Sequence, residues 1–67
     1  MLQLTVNGES RSVASGATVH DLVGELGLDG RKIAVERNLE IVPRSIYAET
    51  ALENDDRIEI VAFVGGG

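Results

Sequence analysis

The chain has 67 residues, a formal net charge of −5, no cysteine and one histidine. A chain this short holds one domain with one core and little room for an enclosed active site. Disulfides, a thiolate metal site and a histidine cluster are excluded. The acidic balance also argues against nucleic acid or an anionic membrane as partner, since both call for a basic face; it suits a protein partner with a basic patch.

Leu2, Leu4 and Val6 alternate with Gln3, Thr5 and Asn7, the period of a half-buried strand. Asn7-Gly8 then predicts a tight hairpin turn, and Glu9 to Ala14 the returning strand. Ser15-Gly16-Ala17 breaks the strand. Thr18, with Asp21 three residues on, predicts a helix start in the form of a capping box. Val19, Leu22, Val23 and Leu26 make one apolar face, and Gly27 followed by Leu28 predicts the stop. His20 falls in the first turn as a solvated surface residue.

Lys32 to Arg37 reads as a strand, Asn38 as a turn, and Glu40-Ile41-Val42 as a short strand ended by Pro43, which has no N–H to give a ladder. Ser45 to Leu52 is expected to hold a turn or short 3₁₀ segment around Ile46-Tyr47-Ala48, with Tyr47 anchoring it on the core. Glu53 to Asp56 is a polar turn. Arg57 to Val64 is the final strand, with Ile58, Ile60, Ala62 and Val64 on one face and Phe63 alternating away from it. Phe63 is therefore either a partner contact near the tail or a core residue. One helix on one face of a mixed sheet makes a small α+β roll. If the last strand lies parallel to the first in mid-sheet, that roll is a β-grasp.

No nucleophile has a histidine partner, and the terminal glycines precede no helix, so a phosphate-binding loop is not expected. Asp55-Asp56 reads as a solvated pair or a cap on the preceding loop; two adjacent carboxylates are too few for a metal site. No metal site is expected. Met1 to Leu4 lacks the basic start and apolar stretch of a signal peptide, and no apolar run reaches the ~20 residues of a bilayer span. A cytoplasmic protein is expected.

Val64-Gly65-Gly66-Gly67 closes the sequence. Taken alone, such glycines also describe a frayed chain end. Without Cβ atoms, however, three of them form a thread that extends about 10 Å and fits a narrow channel. The carboxylate of Gly67 would be the group a partner could use. Being ionised at neutral pH, it resists nucleophiles until one oxygen is joined to AMP, after which sulfur or nitrogen can attack.

Five stretches carry a resemblance over essentially the whole chain: Leu4 to Gly8; Thr18-Val19 with Leu22; Ala34 to Asn38; Ile41 to Arg44; and Asp56 to Val61 leading into Phe63 to Gly67. In this order and spacing the chain resembles the thiamine-biosynthesis sulfur carrier proteins, the ThiS family. The resemblance implies a ubiquitin-like β-grasp domain over residues 1–64 and a flexible glycine tail over 65–67. It implies that an E1-like adenylyltransferase using ATP and Mg²⁺ activates Gly67, and that a sulfur donor system converts the carboxylate to a thiocarboxylate. Thiazole synthase would receive the sulfur for the thiazole ring of thiamine, with Gly65 and Gly66 threading the partner channel. The chain itself would be a carrier, not an enzyme, with no tightly bound cofactor. Many relatives place a glycine before the aspartate of the penultimate turn, where this chain has Asp55. The small subunit of molybdopterin synthase is a rival within sulfur transfer, and a ubiquitin-like modifier or plain binding module is a rival outside it.

Overall fold

A computed structural model of the chain describes residues 1–63. The first alternating run forms β1 (Leu2–Val6), and the return forms β2 (Glu9–Val13). Val6 faces Glu9 across the pair, leaving Asn7 and Gly8 as a two-residue turn with φ of 51° and 84°. Positive φ at both central positions is what a type I′ turn requires, which is why asparagine and glycine stand there.

The helix α1 (Val19–Glu25) begins and ends as its sequence predicts. The Thr18 N–H donates to Asp21 Oδ2 at 2.9 Å, and the Asp21 N–H donates to Thr18 Oγ1 at 3.2 Å, closing the capping box. At the far end Gly27 takes a φ of 70°, the Leu28 N–H reaches Val23 O, and the Gly27 N–H reaches Gly24 O. These are the two bonds of a Schellman stop. Val19, Leu22 and Val23 are buried against the sheet.

A single 3₁₀ turn over Gly30–Lys32, capped by Asp29, precedes β3 (Ile33–Arg37). Three residues are too few to leave a periodic signature, so nothing in the apolar pattern announces this turn, and the strand starts one residue later than expected. Asn38 and Leu39 connect β3 to β4 (Glu40–Val42). After Pro43 a 3₁₀ segment spans Arg44–Glu49 and buries Tyr47, as expected of that residue. The last described strand, β5, covers Arg57–Ala62. Phe63 adds one further ladder bond, from its N–H to Lys32 O at 2.9 Å; Val64, expected within this strand, lies outside the described residues.

The sheet order is β2-β1-β5-β3-β4. β5 runs parallel to β1 and antiparallel to β3, so the last strand occupies the middle. Leu4, Val13, Ile33, Val35, Val42 and Ile58 point to the helix side and join the core with Leu52 and Tyr47. This is the mixed sheet with one helix on one face that defines the β-grasp roll. The opposite face of the sheet has no element packed on it among the described residues.

Candidate functional site

β5 leads to the glycine tail, and two turn asparagines hold it. Asn7 sits where β1 leaves the sheet. Its side-chain Oδ1 accepts from the Ile60 N–H at 2.7 Å and its Nδ2 donates to Ile60 O at 3.2 Å. The amide thus stands in for a backbone peptide and continues the β1–β5 ladder beyond the turn. Asn38 does the same on the other flank: its N–H donates to Arg57 O at 2.8 Å, and its Oδ1 accepts from the Arg57 N–H at 2.9 Å. Each such bond contributes about 0.5–1.5 kcal/mol. The first residue and the middle of β5 are therefore held from both flanks.

Asp56, immediately before β5, is 4% exposed. Its carboxylate accepts from Arg37 Nε at 2.9 Å, Asn38 Nδ2 at 3.0 Å and the Glu53 N–H at 2.8 Å. Arg37 also reaches Glu53 at 3.0 Å. Of the two readings given for Asp55-Asp56, the loop cap is right for Asp56 and solvation is not. Neither spacing nor period marks a buried carboxylate in a polar turn, because its partners arrive from β3 and the β3–β4 turn. Asp55 has a φ of 69°, the conformation in which glycine would be unstrained. Glycine is therefore the unstrained residue for this turn, and Asp55 adopts the same backbone conformation at a steric cost.

The open face of the sheet carries exposed apolar residues near the end of β5. Val61 is 61% exposed and pairs with Ala34; Phe63 is 60% exposed, and Ile41 on β4 is 63% exposed. Phe63 is thus a surface residue and not part of the core. A shallow recess of about 280 Å³ runs beside it between Ala34, Ile41, Pro43 and Arg44. Across the same face Glu36 lies opposite both Glu59 and Ile41.

The sequence places its reactive group at Gly67 and its thread at Gly65 and Gly66; all three lie outside the described residues. His20 is exposed, as expected. Among the described residues no group of three or more histidine, cysteine or carboxylate side chains could hold a metal ion, and no helix is long and apolar enough to cross a membrane. Two carboxylates, one exposed and one partly buried, are held low. Hydrogen bonds from the Thr18 backbone and side chain lower Asp21, and the Arg31 side chain and backbone lower Asp29 to about 2. Both act as local caps.

What is present, then, is a five-stranded platform whose central strand is held by two turn asparagines, with an apolar patch on the open face near the end of that strand. The sequence matches the ThiS family over residues 4–67. The chain belongs to the ThiS family. A crystal structure of the thiamine biosynthesis protein ThiS from Geobacter metallireducens superposes with a TM-score of 0.84 at 32% identity, covering 98% of this chain and all of that one. The sulfur carrier protein ThiS of Bacillus subtilis is 46% identical over 50 residues, which are 75% of this chain and 76% of that protein. A thiazole synthase of Paramagnetospirillum magneticum is 58% identical over 66 residues, 98% of this chain but 20% of that protein. The chain thus spans about a fifth of that synthase's length.

Proposed function

We propose that this ThiS-family chain is a sulfur carrier whose working group is the carboxylate of Gly67. A carboxylate oxygen attacks the α-phosphorus of ATP on an E1-like adenylating enzyme, with Mg²⁺ supplied there. The bond to the leaving pyrophosphate breaks, and an acyl adenylate remains. Sulfide (HS⁻) supplied by the donor system then adds to the acyl carbon, AMP departs with the electrons of the C–O bond, and loss of the S–H proton leaves a C-terminal thiocarboxylate. Thiazole synthase takes the sulfur for the thiazole ring of thiamine. Residues 1–64 serve as the recognition body, and Gly65 and Gly66 as the thread.

The family match through residue 67 carries this reading. The fold supports it, because the central strand β5 ends at Ala62, shortly before the glycines in sequence, and the open face at that end of β5 is uncovered among the described residues. Phe63, with Val61 and Ile41, supplies apolar contact area for the partners at that end. The B. subtilis and G. metallireducens relatives favour the thiamine branch of sulfur transfer over the molybdopterin branch.

The test is intact-mass analysis after incubation with the cognate adenylating enzyme, ATP and a sulfur source. An oxygen-to-sulfur mass change confined to the C-terminal peptide is expected. An unchanged mass under conditions that activate a known carrier would overturn the reading.

A further inference from the structure

The chain contains two hairpin turns of the same length, built differently. Asn7-Gly8 has φ of 51° and 84°, and Asn38-Leu39 has φ of 52° and 71°. At the second position glycine is free, whereas leucine brings its Cβ against the following carbonyl oxygen. A bulky residue in this region is an outlier that its surroundings must enforce. The side chain gains nothing from the core in return, since Leu39 is 71% exposed. Residue 39 is therefore unfavourable twice in the isolated domain, once in its backbone and once in its solvation. The turn is also held rigidly, because Asn38 is bonded to Arg57 and to the buried Asp56.

The neighbouring surface has a matching peculiarity. Ile41, two residues further on, is exposed, and it lies opposite Glu36, which lies opposite Glu59. Like charges directly opposed in a sheet are unfavourable. Glu59 has Arg57 at 3.1 Å, whereas Glu36 has no ion-pair partner among the described residues. A strained exposed leucine beside an exposed isoleucine and an uncompensated carboxylate is complementary to a protein surface offering an apolar socket and a basic side chain.

We propose that Leu39 is an anchor through which the domain docks on thiazole synthase, at the end of the sheet opposite the tail. The proposal rests on the sulfur-carrier reading above. The synthase is the occupant because the P. magneticum synthase carries a segment 58% identical to this chain within its own polypeptide. A domain of this kind and a synthase there share one chain, at high effective concentration. The six residues of β5 set Leu39 and Phe63 about 20 Å apart along the sheet. A partner gripping both ends fixes the direction in which the tail enters it.

The test compares Leu39→Asn and Leu39→Gly with Leu39→Met, which keeps an apolar side chain. Thermal unfolding, affinity for purified thiazole synthase and the rate of adenylation by the adenylating enzyme are measured for each. Asparagine and glycine relieve the backbone, so Tm is expected to hold or rise, while synthase affinity falls roughly tenfold or more. Adenylation is expected to stay unchanged, and Leu39→Met to bind the synthase as the parent does. Undiminished synthase affinity in both polar-turn variants overturns the anchor. So does a lowered Tm in both, which would make Leu39 a fold residue, or a loss of adenylation with binding intact, which would assign the surface to the other enzyme. If the parent chain itself fails to bind the synthase, the carrier reading falls together with the proposal; parent binding with unaffected variants refutes the anchor alone.

Discussion

At Asp56 one carboxylate ties three segments together: the loop before β5 through the Glu53 N–H, strand β3 through Arg37, and the β3–β4 turn through Asn38. Replacing it by asparagine removes the charge that Arg37 faces and turns one acceptor into a donor pointed at other donors. Asp56→Asn is expected to cost about 2–3 kcal/mol, lowering Tm by roughly 10–20 °C in a thermal scan. Phe63 should behave oppositely. Its ring is on the surface, so Phe63→Ala should leave Tm within about 2 °C while weakening binding to the adenylating enzyme or thiazole synthase. A large loss of Tm would place the ring in the core after all. Position 63 was readable from sequence only as a choice between surface and core, because alternation says which face a residue takes and not whether that face is covered. Asp56 was readable as a loop cap but not as a buried carboxylate, and the strain at Leu39 was not readable. The first depends on partners distant in sequence, and the second on a backbone angle that apolar patterning does not encode.

Among the elements, those with local codes were legible: the Asn7-Gly8 hairpin, the Thr18/Asp21 capping box, the Gly27 stop and the alternation of β5. The 3₁₀ turn at Gly30–Lys32 was missed because three residues leave no periodic signature; Asp29 caps it, accepting from the Arg31 side chain at 3.0 and 3.1 Å and from the Arg31 N–H at 2.9 Å. That contact leaves a pH signature. The folded-state pKa of Asp29 lies below its ordinary value of 3.8, at about 2, and Asp21 is shifted in the same direction. Groups so shifted add stability that is complete above the ordinary carboxylate range and disappears as pH falls through the folded value. An Asp29→Asn variant should therefore lose less stability than the parent between about pH 4 and pH 2, read as a shallower fall of Tm with acidification. Equal slopes would show that the ion pair with Arg31 is not maintained in solution.

For the whole molecule, function is proposed to concentrate in a carboxyl group that the body only presents. Removing Gly67, or adding one residue after it, should abolish formation of the thiocarboxylate while Tm stays that of the parent. Gly66→Val should block activation as well, since a branched side chain does not fit a channel shaped for a bare backbone. Normal mass conversion of any of these variants would reject the threading mechanism. The general architecture was legible because hairpin, helix, short strands and final strand occur in an order with few compact solutions. The pairing that decides the topology, β5 between β1 and β3, could be stated only as a condition, since a hydrophobic period carries no information about which strands become neighbours.

That pairing governs when the domain can exist. Without β5, β1–β2 and β3–β4 are two separate hairpins, and an isolated hairpin is marginal in water. Sheet closure must await the last of the five described strands, so residues 1–56 emerging from the ribosome have nothing to close around, and folding is deferred until β5 has emerged. The strand that completes the sheet is also the one that leads into the glycines. A body truncated before β5 lacks the strand that joins its two hairpins and is expected not to fold.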